Sequence, residues 1–420
     1  MIRAGAAVVD ITPPPGLLLS GFAARREPAT GAHDPLTVRA VAVDDTAVVV
    51  ADVIGLHGEM TCRIRRACAL PDDNVVIAAL HNHGGPVSMR GRLSLESDPD
   101  YLARLEAACV DAINKAVESQ RPATLSAGFG GDPDVARNRR HAGGIVDRAV
   151  PVIRIRDLDG GMIAVVASYA CHPVVLSADN RLWTADYPHF VRRDIEAAYP
   201  GAVALFLTGC TGDANTGHSA HASVSLATNS ERTFGAAERI GGRIAAAALA
   251  APEQPLGQGV DAANDEVVLA FNRRETASPA ELAAEWRKER ESAGVARASL
   301  LGYWIAWAET KAREPLTPMA ERVTVLNWGG LPIIGLPGEI FAETSLHIRA
   351  QLPADLPAII ASFAEDNPGY ISPASEYQFG GYEVDEAHRY YGQPAGFAAG
   401  SAEALADAAL ALLASQGLTK

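Results

Sequence analysis

The sequence predicts a mixed α/β fold with a large β-sheet and flanking helices. Short apolar runs of strand length recur along the chain, and Pro or Gly residues bound them. Segments with helical spacing of apolar residues lie between these runs. Hydrophobic residues make up 48% and charged residues 20% of the 420-residue chain, which is ordinary for a globular enzyme. Large α/β enzymes hold this length around one core, so we predict a single domain over residues 1–420.

The apolar runs give the order of the predicted elements. Strands are predicted at 6–11, 38–43, 46–53, 74–80, 123–128, 150–156, 162–170, 202–207, 320–328, 331–336 and 358–363. Helices are predicted at about 60–69, 99–119, 187–199, 231–250, 337–351 and 402–415. The stretch 277–314 indicates two further helices with Trp residues on their apolar faces, and we interpret it as a helical excursion that covers the site. Residues 218–230 are predicted to form a polar loop.

Charge and cysteine content exclude several classes of protein. A formal net charge of -14 argues against a nucleic-acid partner, because phosphate binding needs concentrated Lys and Arg. Five cysteines without a regular framework favour a reducing compartment. The N-terminus lacks the features of a signal peptide, and no apolar stretch approaches the roughly 20 residues that span a bilayer. We therefore expect a cytoplasmic protein that acts on a small molecule without stable membrane association, and its oligomeric state stays open.

Side chains that can bind a metal follow several predicted strands, next to Gly or Pro. They are His81 and His83, His172, Asp213, Glu339, Tyr370 and Tyr377. A strand end fixes the backbone, while the neighbouring turn lets the side chain point into a shared pocket. Catalytic zinc sites commonly combine histidines with a carboxylate. The inventory therefore fits a zinc site.

Each of these motifs also has an ordinary structural explanation. A His-x-His pair such as His81 and His83 is often a surface pair or is satisfied by local hydrogen bonds. His172 at a strand end can serve packing, and Gly212-Asp213 is typical of a turn. The acid of Pro337-Gly338-Glu339 would favour a helix N-terminus through the helix dipole. Composition and spacing alone leave both explanations open.

The motifs taken together add a resemblance to a known family. They are Ala4 to Pro14, His81-Asn82-His83-Gly84-Gly85-Pro86, Asn138-Arg139, Ser168 to Pro173, Gly212-Asp213, Leu336-Pro337-Gly338-Glu339 and Tyr370 to Tyr382. As an ordered set over nearly the whole chain, they resemble the N-terminal catalytic domain of the neutral/alkaline non-lysosomal ceramidases. The resemblance implies one Zn²⁺ per chain, held by His81, His172, Glu339 and Tyr377. Tyr370 lies close by in sequence and is the alternative fourth ligand, and a bound dication would favour either tyrosinate.

The same resemblance implies roles for three further residues. His83 would hydrogen-bond the reacting water or oxygen. Arg139 would face the acyl oxygen, where a fixed cation stabilises developing negative charge. Tyr382 would donate to the leaving group. A surface position for Arg139 and a partly buried strand position for Tyr382 are the structural alternatives.

The stretch Gly212-Asp213-Ala214-Asn215 departs from the family pattern. Ceramidases carry a serine in a Gly-Asp-x-Ser motif, and an asparagine cannot form an acyl intermediate. We therefore expect direct attack by a metal-activated water. Asn215 would orient water or substrate, and Asp213 would support the metal ligands. Cys210 and Thr211 are nearby nucleophile candidates, but the sequence shows no base beside them.

Chain length is a second departure, because ceramidases continue into a C-terminal β-sandwich domain. Together with the missing secretion signal, this leads us to expect a small soluble amide rather than a long-chain lipid. The predicted activity is a zinc-dependent, ceramidase-like amidohydrolase. A zinc-dependent esterase or lactonase would use the same activated water, and a catalytically silent metal-binding or ligand-binding relative is a third hypothesis.

Overall fold

A computed structural model describes residues 1–94, 96–219 and 229–420 and has a mixed α/β fold, as predicted. The strands are β1 (Arg3–Asp10), β2 (Gly31–Ala32), β3 (Thr37–Val43), β4 (Thr46–Ala51), β5 (Val75–Ala79), β6 (Arg121–Gly130), β7 (Arg137–Asn138), β8 (Val150–Asp157), β9 (Met162–Tyr169), β10 (Leu182–Trp183), β11 (Val203–Thr208), β12 (Ala214–Asn215), β13 (Gln254–Pro255), β14 (Val260–Leu269), β15 (Phe271–Asn272), β16 (Met319–Trp328), β17 (Leu331–Gly335), β18 (Glu339–Ile340), β19 (Ile359–Ala361), β20 (Tyr370–Ile371) and β21 (Gly396–Phe397). The helices are α1 (Gly58–Ala67), α2 (Pro99–Glu118), α3 (Tyr187–Ala198), α4 (Phe234–Leu249), α5 (Pro279–Ser292), α6 (Val295–Glu309), α7 (Ala342–Ala350) and α8 (Ser401–Ser415).

A nine-stranded mixed sheet forms the main layer. Its strand order is β11-β9-β8-β6-β1-β3-β4-β5, with β13 also paired to β6. Strands β4 and β5 are buried along their whole length, which explains why both are continuous runs of Val, Ile, Ala and Thr. Strand β1 joins β6 through only two residue pairs, and β9 and β11 lie close to β1 and β3. The two halves of the sheet therefore face each other around the main core.

A second sheet of four strands packs against β4 and β5. Its order is β14-β16-β17-β19, and α8 packs on β14 and β16. The two sheets are joined by a hydrogen bond from Trp328 Nε1 to Thr46 Oγ1 of 2.8 Å and by a bridge between Ala78 and Ala364. This arrangement brings the ends of β5 and β17 to the same side of the molecule.

Helices α2, α3, α4 and α5 begin where a side chain accepts a hydrogen bond from one of the first free N–H groups. Asp98 accepts from the Tyr101 N–H at the start of α2, and Thr233 caps α4. Ser278 and Glu281 form a reciprocal capping box on α5. Helices α5 and α6 form the predicted excursion, with their three Trp side chains buried. Within the described ranges, every helix is too short or too polar to cross a bilayer.

The nine two-residue strands of the described segments were not predicted, and two longer elements also differ from the prediction. Strand β14 was missed, because about half of its residues are exposed or carry charge and its stability comes from pairing with β16 over ten residues. The helix predicted from 337 begins only at Ala342, because Gly338 has a φ of 72° and Glu339 pairs with Tyr370 in a short parallel bridge. Most of the predicted polar loop at 218–230 lies outside the described residues.

Candidate metal centre and active site

Three pairs of parallel strands end at one place and supply the central side chains. The pairs are β4/β5, β9/β11 and β17/β19. His81 comes just after β5, His172 just after β9, and Glu339 just after β17. In α/β proteins, binding sites lie beyond the carboxyl ends of parallel strands. The topology therefore explains why residues more than 250 positions apart meet.

The three side chains converge on one point in the interior. His81 Nε2 lies 3.1 Å from His172 Nε2, and His172 Nε2 lies 3.0 Å from Glu339 Oε2. His81 Nε2 is 3.5 Å from the same carboxylate oxygen. A ring nitrogen of His83 joins this group, since one nitrogen from each of the three histidines lies within 4.8 Å of the others. His81, His172 and Glu339 are each only 1% exposed, so solvent water does not separate them.

The main chain fixes the orientation of both imidazoles. His81 Nδ1 lies 2.6 Å from the Ile54 carbonyl oxygen, and His172 Nδ1 lies 2.7 Å from that of Thr211. A carbonyl only accepts, so each Nδ1 carries the hydrogen and each neutral ring has its lone pair on Nε2. Two lone pairs and a carboxylate oxygen then face one another at about van der Waals distance or less. Such a group needs a cation or a proton at its centre, and two imidazoles with a carboxylate are a donor set that suits zinc.

The pKa shifts agree with the protonation states that metal ligands need. Burial lowers the pKa of His172 to about 4, although its hydrogen bond to Glu339 acts in the opposite direction. Burial alone would raise the pKa of Glu339, but the neighbouring imidazoles of His81 and His172 hold it well below its usual value. Burial is the main cause that lowers the pKa of His83 well below the ordinary range. Neutral imidazoles beside an ionised carboxylate are the forms that bind a metal.

Tyr391 holds the other oxygen of Glu339. Its buried hydroxyl donates to Glu339 Oε1, which leaves Oε2 facing the two histidines. Gly338, just before the acid, has a φ of 72°, and a Cβ atom there would lie 2.7 Å from the Gly369 carbonyl oxygen. The turn therefore depends on glycine. No sequence pattern indicated that Tyr391 contacts Glu339.

His83 lies beside the two predicted metal ligands without local hydrogen bonds. Neither ring nitrogen of His83 has a partner in the part of the chain that the structure describes. Phe22 packs edge-on against the ring, with centroids 4.7 Å apart. A Cβ on Gly21 would lie 2.5 Å from the ring, so this close approach requires glycine. His83 is therefore sterically held while its nitrogens stay available for a reacting group.

Arg139 lines the cavity and is largely buried. Its Nε donates to Glu383 Oε1 at 2.9 Å, and its Nη2 donates to the Tyr370 hydroxyl at 2.8 Å. Only 6% of the side chain is exposed. The contacts hold the guanidinium in one orientation beside the histidine cluster.

The tyrosines separate into two groups. Tyr370, Tyr382 and Tyr391 line the same cavity as the three histidines and Glu339, so Tyr382 lies where the resemblance placed it. Tyr377 does not: its hydroxyl donates to the Phe397 carbonyl oxygen at 2.8 Å, and its ring borders a different, smaller cavity. The geometry gives no support to Tyr377 as a ligand, because a short 3₁₀ turn before it directs the residue away. Tyr370 is the alternative that reaches the cavity.

Asp213 does not line the cavity, and it hydrogen-bonds to segments that surround the site. Its Oδ1 accepts from the Ala342 N–H at the start of α7 at 2.9 Å, and its Oδ2 accepts from Asn138 Nδ2 at 2.8 Å. Its backbone oxygen accepts from the Arg139 N–H at 2.8 Å. Burial raises the pKa of Asp213 to about 6. The carboxylate therefore positions neighbouring segments.

Asn215 lines the cavity, but its amide is occupied. The side-chain oxygen accepts from the N–H groups of Gly217 and His218, and Nδ2 donates to the His218 carbonyl oxygen. Through these bonds Asn215 stabilises the turn that follows it. Burial raises the pKa of the Cys210 thiol, and the residue packs in the core of the second sheet. The Thr211 carbonyl orients His172, and neither Cys210 nor Thr211 is among the residues that line the cavity.

The cavity itself is narrow and polar. It encloses about 30 Å³, which is space for roughly two water molecules at about 10–15 Å³ each. Histidine, arginine and tyrosine side chains form much of its wall, together with Phe22 and Val174.

Comparison with known proteins bears on the fold. No family model matches the chain. The crystal structure of neutral ceramidase from Pseudomonas aeruginosa aligns over 99% of this chain and 75% of that chain, with a TM-score of 0.75 and 17% sequence identity. The chain has the neutral ceramidase fold. A structure of ceramidase complexed with C2 aligns over 99% of this chain and 76% of its own, with a TM-score of 0.74 and 17% identity. The ceramidase fold thus accounts for both sheets and for the strand ends that carry His81, His172 and Glu339.

Proposed function

We propose that this protein is a zinc-dependent hydrolase that cleaves the amide C–N bond of a small, soluble N-acyl compound. The observation that carries the proposal is the pair of buried imidazoles, His81 and His172, whose Nε2 atoms face each other at 3.1 Å beside the carboxylate of Glu339. Carbonyl groups occupy the opposite nitrogens, so both Nε2 lone pairs point toward this carboxylate. The ceramidase-like fold supports an amidase.

His81, His172 and Glu339 would hold the ion, and we propose Tyr370 as the fourth ligand in place of Tyr377. Tyr370 lines the cavity and its oxygen accepts from Arg139, whose positive charge opposes the rise in pKa that burial causes. A zinc ion bound there would act as a Lewis acid and provide a water of pKa near 7.

The remaining polar residues have complementary roles. The fixed guanidinium of Arg139 would stabilise negative charge on the carbonyl oxygen during attack. Neutral His83 would accept a proton from the attacking water through a free ring nitrogen. Tyr382, whose pKa is raised well above its usual value by burial, would keep its proton and donate to the leaving nitrogen. The C–N bond breaks, the acyl carbon gains the water oxygen, and the amine gains the proton.

Metal content and turnover test the proposal together. The purified protein, its His172→Ala and Glu339→Gln variants and a His347→Ala control on the exposed face of α7 would be analysed for zinc and assayed on matched amide and ester substrates. We expect one zinc in the parent and the control, none in the other two variants, and amide hydrolysis that follows the zinc. Zinc retained in both ligand variants would refute the assignment. Hydrolysis of esters alone would favour an esterase, and zinc without turnover would favour a silent relative.

A further inference from the structure

The buried arginines are of two kinds, those with a carboxylate partner and those without one. Six are buried within the described ranges, namely Arg25, Arg65, Arg92, Arg154, Arg192 and Arg232. Four of them have a carboxylate oxygen within 4.0 Å: Arg65 has Glu365, Arg92 has Asp366, Arg154 has Glu253 and Arg192 has Asp52. Arg25 and Arg232 have no such partner among the described residues. Both lie beside the candidate active site.

Arg232 lines the cavity and binds only main-chain oxygens. Its Nη2 donates to the carbonyl oxygens of Val174 and Leu176 at 2.8 and 2.9 Å, and its Nε donates to that of Val175 at 3.1 Å. Its Nη1 donates to none of the described residues. The carboxylate of Asp186 binds the N–H groups of Val175 and Leu176, so the main chain lies between this acid and the guanidinium.

Arg25 adds a second positive charge to the same wall. Its guanidinium donates to the carbonyl oxygens of Ala178 and His83 at 3.2 and 2.8 Å. The ring of Phe22 lies near both cations, with its centroid 4.8 Å from the Arg25 guanidinium carbon and 5.9 Å from that of Arg232. Carbonyl oxygens satisfy the donors, and the exposed carboxylate of Asp179 acts on both charges from more than 4.0 Å away. Burial of two cations that no carboxylate contacts directly is costly, so a negative partner on this wall would be bound favourably.

The distance to the candidate metal centre is short. Val174, which accepts from Arg232, is two residues from His172, and its N–H donates to the His172 carbonyl oxygen at 2.9 Å. Two residues of chain span at most about 7 Å. Arg232 lines the same cavity as His81, His172 and Glu339, so a small molecule there can contact both the guanidinium and this cluster.

We propose that Arg232 binds a carboxylate of the substrate, so that the hydrolase acts on anionic amides. This inference rests on the proposed amide hydrolysis and specifies its substrate class. Guanidinium groups bind carboxylates through directed, charge-assisted hydrogen bonds, which a neutral amide cannot reproduce. The carboxylate is either on the amine side of the bond, as in an N-acyl amino acid, or on the acyl side, as in the monoamide of a dicarboxylic acid.

Matched substrates distinguish these sources. For the amine side the pair is N-acetylglycine and N-propylacetamide, and for the acyl side it is succinamic acid and butanamide. The zinc-loaded enzyme should have the higher kcat/KM for the anionic member of one pair. Arg232→Gln should lower the ratio of anionic to neutral kcat/KM roughly 10- to 100-fold, and Arg232→Lys, which keeps the charge, should lower it less. A ratio that is the same in the parent and both variants overturns the proposal.

Binding without turnover separates this inference from the proposed activity. Ligand-detected NMR on metal-free protein would compare acetate with acetamide, which have similar shapes and differ in charge. Removal of the metal excludes its direct contact with acetate. We expect acetate to bind the parent protein and Arg232→Lys more tightly than Arg232→Gln, and acetamide to show no difference. Equal acetate binding by all three overturns the anion site, whereas acetate binding through Arg232 in a protein that hydrolyses no amide refutes the hydrolase and retains the site.

Discussion

Two regions build the candidate site, and they differ in how the chain determines their geometry. His81, His172 and Glu339 follow regular strands whose pairing fixes where they meet. The phenols come from the segment 370–391, which contains short 3₁₀ and π turns and two glycines with positive φ. In the first region topology brings the ligands together. In the second, local turns decide which of several tyrosines faces the cavity.

The difference shows what each region contributes. Main-chain carbonyls orient His81 and His172, whereas Tyr391 from the second region orients Glu339. The tyrosine segment is held through side chains: Trp304 Nε1 donates to the Tyr390 hydroxyl at 2.8 Å, and Trp307 Nε1 donates to the Gln393 carbonyl oxygen at 2.7 Å. Helix α6 therefore positions the phenols from behind.

Loss of a strand-end ligand should cause the largest change, which is a fall in zinc affinity. His81→Ala removes one of the two facing imidazoles, and we expect zinc affinity to fall more than about 100-fold, since residues that only orient ligands already contribute 10- to 100-fold. Competition with a chromogenic chelator measures this. The exposed His347→Ala should be unchanged, and equal affinity in the two variants would contradict the central role of the strand ends.

Two single substitutions in the tyrosine segment, compared with each other, should give the next largest effect, which is on kcat/KM. Tyr370→Phe removes the hydroxyl that contacts Arg139, and we expect kcat/KM to fall roughly 100-fold, as for the loss of one group that stabilises the transition state. Tyr377→Phe removes a hydrogen bond to Phe397, and we expect unchanged kcat/KM with about 1 kcal/mol less stability. Steady-state kinetics and urea denaturation test both, and the reverse pattern would restore Tyr377 as the ligand.

Tyr391→Phe tests whether the two regions are coupled. The variant lacks the donor to Glu339 Oε1, and zinc affinity should fall about 10-fold because the carboxylate becomes free to rotate. Tyr390→Phe, which loses only the bond from Trp304, is the matched control. If both variants hold zinc equally well, Tyr391 does not orient the ligand.

Buried Asp213 should make the stability of the protein depend on pH. Burial raises the pKa of Asp213 to about 6, whereas an unfolded aspartate has a pKa of about 3.9. The unfolded state therefore loses its proton first, so this residue lowers the free energy of unfolding as pH rises from about 4 to 6, by up to about 2 kcal/mol. In the Asp213→Asn variant this fall in the free energy of unfolding with rising pH should be absent. Urea denaturation across this range, with exposed Asp261→Asn as control, checks the sign.

The strand-end residues could be predicted from the sequence, because an apolar run followed by His-x-His or Pro-Gly-Glu shows where a strand stops. Most predicted strands and helices match the structure within a few residues. The resemblance also placed His83, Arg139 and Tyr382 at the cavity. The choice between Tyr370 and Tyr377 could not be made, since spacing within an irregular segment does not show which side chain turns inward.

Other features depend on contacts that no pattern encodes. Strand β14 is polar and takes its form from β16. The roles of Asp213 and Asn215 follow from hydrogen bonds to main-chain groups, and these bonds exist only after distant segments meet. Tyr391 and Arg232 were missed for the same reason, because a tyrosine or an arginine in a loop has no characteristic sequence context.

The convergence of three strand pairs also has a thermodynamic consequence. The donor atoms at positions 81, 172 and 339 meet only when the chain is folded, so an ion that binds there selects the native state over the unfolded one. By linkage, its binding would raise the free energy of unfolding by RT ln(1 + [M]/Kd), and the thermal midpoint would climb with metal concentration. Chelation would then weaken the entire protein, including helices far from the ion.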